Sequence, residues 1–194
     1  MLPWLMWSRN SRVKRPKGPI AITAELKDFL ESGVSVVVGT CDSACVPEAV
    51  RAWGPRVGHD GRSVSLCFAL ATSGRTLNNL RDNGRVAVTF CLPSNYKTIQ
   101  LKGRFLGTAR PNGQDLAAIE RHRDSFTASA TRVGVDRRFM EGLWQKELVE
   151  SAVMLKIRFV AEQVFDQTPG PDAGLTKTTW RFRSSFSTRP GLIS

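Results

Sequence analysis

Apolar and polar positions alternate along much of the chain. In RVAVTFCL, Val86, Val88, Phe90 and Leu92 share one side. In KTIQLKGRF, Ile99, Leu101 and Phe105 oppose Thr98, Gln100, Lys102 and Arg104. In VMLKIRFVAEQVFD, Leu155, Ile157 and Phe159 oppose Lys156, Arg158 and Val160. A period of two predicts antiparallel strands with one buried face. VSVVVGT (34–40) is β-branched and strand-like, and EAVRAW (48–53) is a further strand after the turn CDSACVPE. GPRVGHDGRSVSLCFAL (54–70) predicts a hairpin turning at Asp60-Gly61, a favoured hairpin dipeptide.

Helical spacing interrupts these strands. TAELKDFLESG (23–33) predicts a short helix capped by Thr23, with Glu25 in its first turn and Gly33 at its end. Leu26, Phe29 and Leu30 form its apolar face. A second helix opens after Ser73, turns Leu77 and Leu80 inward and stops at Gly84. Two more helical segments lie at 113–130 and 136–149, the latter with Phe139, Leu143, Trp144 and Leu148 at helical spacing. QTPGPDAG (167–174) breaks regular structure, and the residues after it look loosely held. Adjacent strands joined by short turns predict a mainly β fold, a closed antiparallel barrel of about six strands with peripheral helices, over a doubly wound parallel sheet. The expected organisation is a basic leader (1–20), one barrel domain (21–168) and a C-terminal tail (169–194).

Charge sharpens that division. The 194 residues carry a formal net charge of +11. The leader holds Arg9, Arg12, Lys14, Arg15 and Lys17 without an acid, and residues 173–194 hold Lys177, Arg181, Arg183 and Arg189 without one. Those nine charges leave a net of +2 for the rest. Basic tips read as solvated ends, with nucleic-acid binding the lesser alternative. MLPWLMWSRN is too short for a signal peptide, and no run reaches the ~20 apolar residues of a membrane span. Cys67 and Cys91 lie in apolar runs and read as buried small hydrophobes. Cys41 and Cys45 have CxxxC spacing without a second pair. His59 falls in the hairpin turn and His122 on a polar helix face, both read as ordinary surface histidines, so no metal site is expected. Free thiols fit a reducing cytoplasm.

No GxSxG, P-loop or dinucleotide fingerprint is present, so an enzymatic activity would draw its reactivity from a cofactor. The informative cations are Arg51 and Arg56, which bracket RAWGPR, then Arg75 at a helix entrance, then Lys97 beside Thr98. Ser73, Gly74, Arg75 and Thr76 supply hydroxyls, backbone N–H groups and charge in one segment, the donor types a phosphate needs. Arg75 alone is misplaced at a helix N-terminus by some tenths of a kcal/mol, and a bound anion reverses that sign.

From Glu25 to Phe105 the order of these pieces resembles the pyridoxamine 5'-phosphate oxidase-like family of FMN-binding split barrels. ELKDFLESG leads into a strand and Gly-Thr. A proline-containing turn, a strand and a hairpin lead to Ser-Gly-Arg, then to LNNLRDNGRVAVTF and KTIQLKGR. VFDQTPGP is also similar to segments of uncharacterised members. The resemblance implies that Arg51 and Arg56 contact the flavin and the substrate edge. It implies that Ser73, Arg75 and Thr76 grip the FMN phosphate and that Lys97 and Thr98 approach the cofactor. It further implies a homodimer with the cofactor between subunits and an oxidoreductase acting on a small molecule. FMN is the expected cofactor, with a deazaflavin as the alternative. A non-catalytic cofactor-binding module on the same barrel is the other reading. The Arg-Leu-His-Asp-Arg segment of the vitamin B6 enzyme is missing from the tail. RHRDS (121–125) resembles that enzyme's substrate-phosphate segment at Arg121 and Ser125, but Ala117 stands where a tyrosine is expected, so the likeness is set aside. The B6 activity is not assigned, and no catalytic residue is identified.

Overall fold

Residues 18–150, 153–171 and 173–177 are described by a computed structural model. Thr23 caps helix α1 (Ala24–Leu30), its hydroxyl accepting from the Leu26 N–H at 3.2 Å. The helix ends at Leu30 rather than at Gly33. Gly33 is instead a point of close approach, where any Cβ would overlap the Ser125 carbonyl.

Strand β1 (Ser35–Cys41) then runs antiparallel to β2 (Pro47–Val57), and β2 pairs with β3 (Ser63–Ala69) through the Asp60-Gly61 turn. The Asp60 carboxylate accepts from the Arg62 and Ser63 backbone N–H groups and from the Ser63 hydroxyl, which tightens that turn. Helix α2 (Gly74–Asn83) follows, and Gly84 closes it at φ 65°, a conformation that glycine adopts without steric cost. Strands β4 (Arg85–Cys91) and β5 (Thr98–Ala109) form the next hairpin. Helices α3 (Gly113–Thr131) and α4 (Arg137–Glu150) lead to β6 (Met154–Asp166) and a short β7 (Thr176–Lys177).

The strand order is β3-β2-β1-β4-β5-β6, and β6 pairs back with β3, so six antiparallel strands close a barrel. The expected fold class is the observed one. The edge of β6 left open beyond β3 pairs with β7, and the Ile20 N–H donates to the Ala161 carbonyl between them. Residues 1–17 of the basic leader and 178–194 of the tail lie outside the described residues.

The inward faces match the alternation. Val36, Val38, Val88, Phe90, Ile99, Leu101, Ile157 and Phe159 are fully buried. Leu26, Phe29 and Leu30 of α1 join that core beside the start of β1, and Leu77 and Leu80 of α2 join it beside the end of β1. The two helices therefore plug opposite ends of the barrel.

A second apolar cluster lies outside the barrel, where Trp53 of β2 meets Phe126, Met140 and Trp144. Here the sequence reading needs correction. Phe139 is exposed, and Met140 joins Trp144 on the inner face of α4, because residues four apart share the helix face that meets Trp53. The side chains of Leu143 and Leu148 are outside the described set. His122 is not a surface residue but is buried, its Nε2 bonded to the Val34 carbonyl at 2.7 Å and its Nδ1 accepting from the Gly54 N–H at 3.3 Å. Cys67 is buried as expected, which pushes its thiol up to about 12, whereas Cys91 is half-buried. Among the described residues, no helix is long and apolar enough to cross a membrane.

Candidate anion and cofactor site

The N-terminus of α2 is built without a side-chain cap. Ser73 occupies the cap position, but its hydroxyl turns back to the Leu70 carbonyl at 3.2 Å. The first N–H groups of a helix lack intrahelical partners, so they remain available to a ligand. Gly74 and Arg75 are exposed at this end, with Ser73 and Thr76 fully buried beneath them. The Thr76 hydroxyl is buried without a hydrogen-bond partner. Such an orphan costs about 1–3 kcal/mol and calls for an explanation.

Arg75 reaches β2, where Nη1 contacts the Glu48 carboxylate at 3.2 Å while the side chain stays 67% exposed. An exposed pair of this kind contributes little to stability. One turn along the helix, Asn79 is buried and donates to the Thr40 hydroxyl at 3.1 Å. Asn83 donates to the Cys41 carbonyl at 2.7 Å. These two bonds fasten α2 to the end of β1 and so fix where its N-terminus points.

Beside Glu48 a groove of about 820 Å³ crosses β2, β1 and β4 and extends to Lys102 of β5 and Glu162 of β6. Its floor is the cross-strand row Ala49–Gly39–Ala87, whose small side chains leave the backbone open to a flat ligand. Arg51, exposed in the adjacent row opposite Val37, lies over the Trp53 ring at 5.5 Å.

The other expected site residues lie elsewhere in the chain. Arg56 is held against α3, with Nη1 on the Asp115 carboxylate at 2.8 Å and Nη2 on Gln114 at 2.9 Å. Burial would raise the Asp115 carboxyl, but hydrogen bonds from Lys156, the Asn112 N–H and Arg56 hold it below the usual range. Lys97 sits over the Phe29 ring at 5.1 Å, where burial lowers its pKa against the opposing pull of Glu25 and Asp166. Thr98 donates its hydroxyl to the Tyr96 carbonyl. Lys97 and Thr98 thus belong to the end plugged by α1, separated from α2 by the length of β4, seven residues or about 20 Å. Within one chain, Ser73, Arg75 and Thr76 cluster and Arg51 lies along the neighbouring strand face, while Arg56, Lys97 and Thr98 do not join them.

Sequence reasoning missed Glu48 and Asp115. The Asn-Gly-Gln-Asp run at 112–115 signals the capping box that Asp115 completes, but not its two cationic partners. Glu48 carries no local signal, because its contact with Arg75 spans 27 residues.

No family model matches the chain, and no curated protein matches it. Solved structures similar to it include pyridoxamine 5'-phosphate oxidase-related proteins, the group the sequence resembles. A Clostridium acetobutylicum protein related to general stress protein 26 of B. subtilis, of the pyridoxinephosphate oxidase family, is 19% identical. That match covers 72% of this chain and 83% of that one, with a TM-score of 0.41. An F420 reductase is 14% identical over 71% of this chain and 94% of its own, with a TM-score of 0.47. An FMN-binding protein from Syntrophomonas wolfei is 12% identical over 81% and 89%, with a TM-score of 0.41.

Proposed function

We propose that this chain is an FMN-binding flavoprotein of the pyridoxamine 5'-phosphate oxidase-like family, an oxidoreductase acting on a small molecule as a homodimer. The observation that carries the reading is the α2 entrance, an uncapped helix N-terminus with Arg75 over it and an orphaned Thr76 hydroxyl beneath it. Helix dipole, backbone donors and guanidinium would act on one phosphate. The small-residue groove beside Glu48 suits a planar ring system. A bound flavin supplies hydride chemistry, which none of this chain's side chains provides.

The chain's own residues bind and orient. Arg75 leaves Glu48 for the phosphate. Arg51, laid over the Trp53 ring, is the cation for the electron-rich edge of the ring system, where fixed charge stabilises a developing anion. Arg56 is the candidate for substrate contact, with Asp115 limiting its reach. Lys97 and Thr98 serve a cofactor only across a subunit boundary, since they lie at the barrel end opposite α2.

A visible absorbance titration with FMN tests the reading. Flavin bound at micromolar concentration supports it, and none bound sinks it. Arg75→Ala should weaken FMN by about 1.5–3 kcal/mol, the scale of a charge-assisted hydrogen bond. An unchanged dissociation constant would remove Arg75 from the site. Mass analysis of the co-purifying chromophore separates FMN from a deazaflavin.

A further inference from the structure

A cleft of about 920 Å³ opens on another side of the barrel, between the Gly58–Arg62 turn, the outer face of β5 and β6, and the start of α3. Strand register aligns its floor. Arg56 of β2 stands opposite Ser65 of β3, and Ser65 opposite Arg158 of β6, so one row runs arginine, serine, arginine across three adjacent strands. Lys156 lies two residues from Arg158 on the same face.

Asp115, buried in the first turn of α3 against this row, organises two of the cations. Its Oδ1 accepts from Arg56 at 2.8 Å, and its Oδ2 accepts from Lys156 at 2.7 Å and from the Asn112 N–H at 2.9 Å. Both carboxylate oxygens are thereby occupied, while Lys156 and Arg56 each carry further N–H donors. Arg56 and Lys156 are only 29% and 20% exposed, so their positions are set before any ligand arrives.

The remaining charges favour an anion. Lys27 and Glu31 pair with one another. Asp60 accepts at Oδ1 from the Ser63 and Arg62 backbone N–H groups of its own turn, and its carboxylate also attracts Arg158. The cleft as a whole keeps one more cation than acid.

We infer that this cleft is a binding site for a doubly charged oxyanion, a phosphate ester or a dicarboxylate, held by Arg56, Lys156, Arg158 and the Ser65 hydroxyl. It is distinct from the α2 entrance, shares only Arg56 with the substrate contact proposed above, and does not depend on flavin binding. Phosphate and dicarboxylate share the chemistry these donors recognise, two or more anionic oxygens within reach of several cations.

Calorimetric titration of inorganic phosphate into the full-length Arg75→Ala chain, which disables the α2 entrance, tests the inference. One phosphate per chain is expected, weakened about tenfold or more by adding Arg158→Gln, as for loss of a charge-assisted hydrogen bond. Arg158 is exposed, so that variant should keep its melting temperature. Ser65→Ala should weaken phosphate by a smaller factor. Malonate competition identifies the ligand class, since the tighter of the two anions names the oxyanion the cleft takes. Equal phosphate affinity with and without Arg158, or no uptake by the Arg75→Ala chain, overturns the assignment. Arg158→Gln should leave the FMN titration of the otherwise unaltered chain unchanged. Failure of FMN to bind would leave the Arg158-dependent phosphate titration standing.

Discussion

Two buried polar side chains show how much a single residue's partners decide. Thr76 has no partner for its hydroxyl, whereas His122 has one for each ring nitrogen. Thr76→Val keeps the shape and removes the orphan. It should leave the melting temperature of the flavin-free protein unchanged or raised and weaken FMN, so calorimetry and flavin titration should move in opposite directions. A lowered melting temperature with unchanged FMN affinity would show a purely structural hydroxyl. His122 must stay neutral, because Nδ1 accepts a hydrogen bond. Burial depresses its pKa in the folded protein, so below about pH 6.5 the unfolded chain binds the extra proton first. Its contribution to stability is therefore complete above about pH 6.5 and falls on acidification, by at most about 1.4 kcal/mol per pH unit. Urea midpoints measured from pH 8 to pH 5 should show this decline, and His122→Asn should flatten it. From sequence, His122 reads as exposed because its helix neighbours Arg121 and Arg123 are charged. The aromatic surface that buries it comes from Trp53, 69 residues earlier.

At the scale of elements, α2 has two functions at once. Its apolar face, Leu77 and Leu80, closes one end of the barrel, and its N-terminus presents Arg75. Both were legible, because i, i+3 spacing and a terminal glycine are local signals. The fit of α3 against the start of β1 was not. Gly33 reads as a helix stop, but what the fold requires of it is the missing Cβ that lets the Ser125 backbone approach. Gly33→Ala should destabilise the protein by about 2–3 kcal/mol through overpacking against main chain, which cannot rotate away. Thermal unfolding checks this, and a loss below about 0.5 kcal/mol would show that α3 can shift to accommodate the methyl.

At the scale of the whole molecule, barrel closure puts the small-residue row Ala49–Gly39–Ala87 and exposed Val37 on one outer face. It also puts the α2 entrance and the Lys97–Thr98 pair at opposite ends. If both groups serve one cofactor, two chains must meet. Light scattering after size exclusion should then give twice the 21.5 kDa chain mass at micromolar concentration. A monomer that still binds FMN would release Lys97 and Thr98 from the site.

The sequence by itself determined the strand series, both plugging helices, the mainly β class and the phosphate-like donor set from Ser73 to Thr76. Each of these rests on periodicity or on contacts within a few residues, which patterning encodes directly. Tertiary structure alone decided that Arg75 meets Glu48, that Arg56 and Lys156 share Asp115, and that His122 is buried. Those pairings join residues 27 to 88 positions apart, and only barrel closure and the docking of α3 bring them within hydrogen-bond reach.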